Sequence, residues 1–266
     1  MHPVIIDLGP LTIHSYGLFI SLGFTFGILL AIMRAPRFKI ETTAVLDMAI
    51  YAIVSAIVGS RVFYIIVNYR EYVDDPMRMF YLHKGGLVFY GGLIGVVAAL
   101  SYYIIKNKLD YFKTADMLIT SLPLGHFFGR IGCFLNGCCY GAVTTACTGI
   151  NFPNLKEAVL RHPTQLYEAA FCLASMFALL AVEKFFKPAA GVLFALYIYM
   201  YSTWRFAIEF MRDDDRGAFI FGLSPSQNVS VAGWIFATAV LLAALNKSRN
   251  AGKPRENDKN DKNENS

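Results

Sequence analysis

Charge-poor, apolar stretches recur along the chain at residues 16–33, 44–67, 86–105, 115–134, 164–182, 189–210 and 229–245. Each approaches the roughly 20 residues with which a helix crosses a hydrocarbon core. The pattern predicts an all-α integral membrane protein with seven transmembrane helices, which places the two termini on opposite sides. Orientation follows from Lys and Arg in the short loops. One set of loops carries Arg34, Arg37 and Lys39, then Lys106, Lys108 and Lys113, then Lys184 and Lys187, and shares its side with the basic tail. The other set carries only Arg70, Arg78, Lys84, Lys156, Arg161, Arg212 and Arg216. The bias predicts the N-terminus outside and the C-terminus cytoplasmic.

Residues 1–245 read as one membrane domain. Residues 246–266, rich in Lys, Asn, Asp and Glu, read as a disordered cytoplasmic tail. The apolar run from Tyr16 has no basic segment before it, so the first span is expected to stay in the mature protein. Residues 68–85 and 136–162 form the two long outer connections.

Composition agrees with a bilayer as solvent. The chain has 266 residues, 56% hydrophobic and only 16% charged, with a mean hydropathy of +0.46. The net charge of +5 then belongs to topology rather than to nucleic-acid binding. Five cysteines include no C-x-x-C pair, so neither a zinc ribbon nor a thioredoxin-type centre is suggested; neither a metal nor an organic cofactor is expected.

Orientation sorts the polar residues by depth. The outer ends of the spans carry His14 and Tyr16, Arg61 and Tyr64, Tyr90, His126 and Arg130, Gln165, Tyr167 and Glu168, Arg205, Glu209 and Arg212, and Gln227 and Asn228. The inner half has little beyond Asp47 and Asp116. A charge at hydrocarbon depth costs at least about 2.5 kcal/mol unless offset. Arg61, Arg130 and Arg205 against Glu168 and Glu209 leave positive charge to be balanced, and a phosphate-bearing lipid from the outer leaflet would balance it. Arg205 and Glu209, four apart on one helix face, can also neutralise each other. The glycines at the start of span three (Gly85-Gly86, Gly91-Gly92 and Gly95) read either as a packing seam or as a lining for that site.

The segment Gly129-Arg130-Ile131-Gly132-Cys133-Phe134-Leu135-Asn136-Gly137-Cys138-Cys139-Tyr140-Gly141 resembles the signature G-R-x-G-N-F-x-N-x-E-x-x-G of the bacterial phosphatidylglycerol–prolipoprotein diacylglyceryl transferases. Tyr16-Gly17-Leu18, Gly91-Gly92-Leu93-Ile94-Gly95, Arg161-His162-Pro163-Thr164-Gln165-Leu166-Tyr167-Glu168 and Arg205-Phe206 with Glu209-Phe210 are similar to further blocks of that family, in its order. The resemblance implies transfer of the diacylglyceryl group of phosphatidylglycerol to the lipobox cysteine of preprolipoprotein signal peptides, at the outer face of the cytoplasmic (inner) membrane. A thioether forms and glycerol phosphate leaves. By the same resemblance Arg130 holds the lipid phosphate and Arg205 is a second essential arginine. Tyr16, Asn136, Gly141 and Glu209 fall on other motif positions. Arg61 and His162 join the expected substrate-binding set.

Three positions depart from the family pattern. Tyr90 stands where a histidine usually precedes the glycine block, Cys133 replaces the first Asn of the signature, and Cys138 replaces its Glu. The general base therefore stays open among Glu168, His162 and Tyr90. The thiols at 133, 138, 139 and 147 lie on the expected outer side, where disulfides persist, so one or two bridges such as Cys139–Cys147 are expected; small buried thiols are the alternative. Cys172 is expected in the core. Two other functions stay open: a diverged paralogue with another acceptor or no catalysis, and a membrane lipid-binding or transport protein.

Overall fold

The computed structural model describes residues 1–7, 9, 12–73, 75–80, 85–153, 155, 159–212 and 222–251. Lys84, Lys156, Arg216 and the tail beyond Ala251 lie outside the described residues. The protein is mostly helical: α1 (Ser15–Arg34), α2 (Thr42–Val67), α3 (Phe89–Lys106), α4 (Tyr111–Ile119), α5 (Ser121–Asn136), α6 (Thr164–Phe186), α7 (Val192–Ile208) and α8 (Pro225–Ala251). Two short antiparallel pairs, β1 (Val4–Asp7) with β2 (Thr12–His14) and β3 (Ile150–Asn151) with β4 (Leu160–Arg161), accompany the helices, and the mostly helical structure agrees with the all-α expectation. Among the described residues six helical segments are long and apolar enough to cross a membrane. α7 has 17 residues, and a 3-10 turn, Glu209–Met211, extends it.

Contacts divide the chain into two compact units, residues 28–117 and residues 1–27 with 118 onward. In the first, α2 and α3 run antiparallel along a seam of small residues. A Cβ on Gly59 would lie 2.5 Å from Gly91 O, and one on Gly95 2.6 Å from Ser55 O. Only glycine allows these backbones to meet, so the glycines of span three are a packing seam. Farther along the pair, Tyr103 donates its hydroxyl to Asp47 Oδ2 at 2.9 Å, which satisfies a carboxylate within the helices. Arg34, counted above as a loop charge, is 2% exposed. Its Nη1 donates to Met117 O and its Nη2 to Asp116 O at 3.3 Å.

The second unit starts with the β1–β2 hairpin, where Asp7 Oδ1 accepts from Gly9 N (3.0 Å) and Thr12 Oγ1 (3.4 Å) across the turn. Ser15 N then bonds Pro3 O at 2.9 Å, which ties the hairpin to the start of α1. The span expected as one helix over 115–134 is two, α4 and α5, with Thr120 between them. Pro123 has no N–H for Ile119 O, and its ring crowds that carbonyl, so the helix breaks there.

α6 buries Gln165, Glu168, Ala169, Cys172, Ser175, Met176 and Leu179, a stripe with helical period. Its polar members face protein rather than lipid. α7 and α8 pack closely where a Cβ on Gly233 would collide with Ser202 Oγ, and Trp234 Nε1 donates to Thr203 Oγ1 at 3.1 Å. α8 runs to Ala251, so residues 246–251, expected in the tail, continue the helix. Arg249 in its last turn suits the negative end of the helix dipole.

Candidate active site

His126 and Arg130 lie four residues apart on α5 and so share one face. Arg130 Nε donates to His126 Nε2 at 3.2 Å, and Arg130 Nη2 meets Glu168 Oε1 of α6 at 2.9 Å. Glu168 is 1% exposed, and its Oε1 also accepts from Tyr201 of α7 at 3.4 Å and lies 3.4 Å from His126 Nε2. Because His126 Nε2 accepts, its ring proton sits on Nδ1. Three polar side chains from α5 and α7 thus converge on one carboxylate oxygen of α6. Among the described residues Arg130 Nη1 is left over for another acceptor.

One turn beyond Tyr201, Arg205 pairs with Glu209 (Nη2 to Oε2, 2.6 Å) and donates to Ser226 Oγ of α8 at 2.8 Å. Ser224 Oγ donates to Glu209 Oε1, also at 2.8 Å. Among the described residues Arg205 Nη1 is buried with no hydrogen-bond partner. A buried guanidinium N–H without a partner is costly, and Nη1 can donate to an acceptor.

The loop after α5 is anchored strand by strand. Gly141 N donates to His162 O at 2.8 Å, His162 N to Ala142 O at 3.0 Å, and Ala142 N to Met211 O at 2.8 Å. A Cβ on Gly141 would strike Met211 O and lie 2.8 Å from Thr164 Cγ2, so glycine is required by space. The His162 Nδ1 lies 3.4 Å from the Tyr167 hydroxyl, which is itself 2.8 Å from Thr148 Oγ1.

Of the expected site residues, the structure brings Arg130 together with Glu168, Arg205 with Glu209, and Gly141 with His162. Asn136 ends α5. Tyr16, in the first turn of α1, packs on α5 where a Cβ on Gly132 would lie 3.3 Å from its Cα. Tyr90, in the first turn of α3, is 45% exposed with its ring edge-on to Phe89.

Arg61 belongs to the other unit, where its donors are taken by the chain: Nε by Met79 O (2.9 Å), Nη1 by Gly85 O (2.7 Å) and Gly86 O (3.2 Å), and Nη2 by Arg78 O (2.7 Å). Arg130 and Arg205 each have a carboxylate partner, and carbonyl dipoles solvate Arg61. His126, Tyr201, Ser224 and Ser226 were missing from the expected set. For His126 and Tyr201, the spacing of four to Arg130 and Arg205 was the available signal.

All five cysteines are free thiols, and the expected Cys139–Cys147 bridge is not formed. The backbone explains why. Gly137 (φ 73°) ends α5 in a left-handed cap, with Gly137 N bonded to Phe134 O and Cys138 N to Cys133 O. Cys139 is also left-handed (φ 64°), and its thiol lies with those of Cys133 and Cys138. Hydrogen bonds with Cys133 and Cys138, helped by the Arg130 and Arg212 guanidiniums, hold the Cys139 thiol well below its ordinary range against the effect of burial. Cys147 is exposed, and Cys172 is buried in α6 as expected.

Residues 3–243 match the family model described as prolipoprotein diacylglyceryl transferase. The phosphatidylglycerol–prolipoprotein diacylglyceryl transferase 2 of Clostridium perfringens is 35% identical over 251 residues, 93% of this chain and 96% of that protein. The transferase of the same name, without the numeral, from Aeromonas salmonicida is 34% identical over 259 residues, 94% of each chain. That of Clostridium tetani is 36% identical over 234 residues, 87% of this chain and 93% of its own length. With the signature arginine, its carboxylate partner and the second arginine pair all inside the matched region, the chain belongs to the prolipoprotein diacylglyceryl transferase family.

Proposed function

We propose that this protein transfers the diacylglyceryl group of phosphatidylglycerol to the cysteine thiol of a prolipoprotein, as the names of its relatives describe. The observation that carries the reading at the level of residues is the buried, unpartnered Nη1 of Arg205 among the described residues, one turn beyond Tyr201, which donates to the carboxylate that holds Arg130. Arg130 and Arg205 each keep a carboxylate for charge balance and a spare donor for a phosphate oxygen. In the reaction the acceptor thiol loses its proton and the thiolate attacks the glyceryl carbon. The bond from that carbon to the phosphate oxygen breaks, and glycerol phosphate leaves with the electron pair. The two guanidiniums stabilise the charge that develops on the departing phosphate.

His162 is assigned the proton. Glu168 is set aside as the base because its Oε1 is already engaged by Arg130 and Tyr201. Tyr90 remains the rival, and full activity of Tyr90→Phe would exclude it. Tyr16 and Asn136 flank the Arg130 turn and shape the lipid entrance, while Gly141 and Glu209 hold the loop and the second arginine.

The same reading counts α7 with its 3-10 extension as a seventh crossing. It sets the N-terminus outside, the C-terminus in the cytoplasm and the site toward the outer face of the cytoplasmic membrane. The decisive experiment is complementation of a conditional null of a host transferase, read by a labelled prolipoprotein. Lipidation is the expected result. Cys133 and Cys138, where the signature has Asn and Glu, favour one second reading, a diverged paralogue. A native chain that reaches the membrane yet leaves the prolipoprotein unmodified would decide for it.

A further inference from the structure

We propose that Cys133, Cys138 and Cys139 form a binding site for one soft d10 metal ion, monovalent copper or zinc. The helix end builds the cluster. In the cap at Gly137, Cys133 is the third residue from the end of α5 and Cys138 the second after it, the two positions whose side chains this motif brings into contact. The left-handed backbone at Cys139 turns the third thiol back onto the pair.

The three sulfur atoms all lie within 4.8 Å of one another. Metal–sulfur bonds of about 2.3 Å require sulfur separations of about 4 Å, so a contraction of under about 1 Å closes the site. A disulfide would need a separation of about 2.05 Å. For Cys138 and Cys139 it would also need Cα atoms farther apart than the roughly 3.8 Å that one peptide bond allows.

The backbone that carries the thiols is held from α6. Gln165 Nε2 donates to Cys138 O at 2.5 Å and Thr164 Oγ1 to Cys139 O at 2.8 Å, and both donors come from buried residues. The donor set selects the ion class. Three thiolates, with neither carboxylate nor imidazole in the cluster, suit Cu(I) in trigonal geometry or zinc with one water, and disfavour magnesium and calcium. Binding releases the thiol protons to solvent. The Arg130 and Arg212 guanidiniums, which act on Cys139, offset the negative charge that a trithiolate keeps after taking up the ion. The site rests on thiol geometry alone and stands whether or not the chain transfers lipid.

The test uses the full chain, purified in detergent, reduced and stripped of metal. It is titrated without oxygen with Cu(I) against bicinchoninate, and separately with zinc against a chromophoric chelator. The expected result is one ion per chain with an all-sulfur or sulfur-dominated shell by X-ray absorption. Affinity should fall about tenfold or more in Cys138→Ser and in Cys139→Ser, and stay unchanged in Cys147→Ser. On the wild-type chain the bound ion should protect Cys133, Cys138 and Cys139, but not Cys147, from alkylation, a readout independent of variant folding. No stoichiometric binding of either ion, binding indifferent to both serine variants, or a disulfide within the cluster in protein alkylated directly in native membranes would overturn the proposal.

Discussion

Glu168 Oε1 meets Arg130 Nη2 at 2.9 Å with the carboxylate side chain 1% exposed, so one buried acid on α6 holds the charge of the signature arginine on α5. The pair is asymmetric in what it can lose. Glu168→Gln strands a guanidinium inside the helices and is expected to cost about 3–5 kcal/mol of stability, read as a lowered melting temperature in detergent. A variant that melts like the wild type would show that the pair is not buried.

Arg130→Lys separates charge from geometry. Lysine keeps the positive charge opposite Glu168 but not the fork that reaches His126 and Glu168 together while leaving Nη1 over. The protein should stay folded, and transfer to a prolipoprotein peptide should fall by about 10²-fold or more, the range for loss of one donor aimed at developing charge. Transfer within a few-fold of wild type would remove Arg130 from the phosphate site.

Arg61 makes the contrasting case. Its four carbonyl partners at residues 78, 79, 85 and 86 make it a clamp on the connection between α2 and α3. Arg61→Ala is expected to speed limited proteolysis within residues 68–88 and to cost about 2 kcal/mol, since charge-assisted hydrogen bonds are each worth about 1.5–3 kcal/mol. Unchanged proteolysis would argue that the clamp is not formed in the membrane.

These two arginines mark where sequence reading ends. Both were visible as charges at depth, because apolar runs define the helices well: the stretches expected at 44–67 and 164–182 correspond to α2 (Thr42–Val67) and α6 (Thr164–Phe186). Depth does not say which partner a guanidinium finds, and backbone carbonyls that capture Arg61 leave no side-chain signature. Tyr201, Ser224 and Ser226 were hidden for a related reason, since uncharged hydroxyls are unexceptional near span ends. The break at Thr120 was legible in Pro123. The β1–β2 hairpin, with its Val-Ile-Ile run before Gly9 and Pro10, was legible only as a short β-branched segment beside a much longer apolar one.

Gly141→Ala tests the loop rather than the chemistry. The added methyl would meet Met211 O, Thr164 Cγ2 at 2.8 Å and His162 Cβ at 3.0 Å. All three atoms belong to backbone or to residues pinned by hydrogen bonds, so relief requires the loop to move. Overpacking of this kind costs about 1–3 kcal/mol. Because the same movement displaces His162, transfer should fall even where the protein remains folded. A variant with wild-type stability and rate would show that the loop has slack.

Arg205 offers the sharpest separation of structure from function. Its Nη2 is spent on Glu209 and Ser226, while Nη1 is buried without a hydrogen-bond partner among the described residues. If Nη1 serves only packing, Ser226→Ala and Arg205→Lys should both act through stability, by about 1 kcal/mol for the lost neutral hydrogen bond to Ser226 and somewhat more for the lysine. If Nη1 meets the lipid phosphate, the two variants diverge. Ser226→Ala keeps Nη1 and should retain most of the transfer rate, whereas Arg205→Lys should lose about 10²-fold in kcat/KM at comparable melting temperature. Parallel losses in the two variants would assign Arg205 to scaffolding, and the measurement needs only a peptide acceptor, phosphatidylglycerol micelles and a thermal melt of each variant.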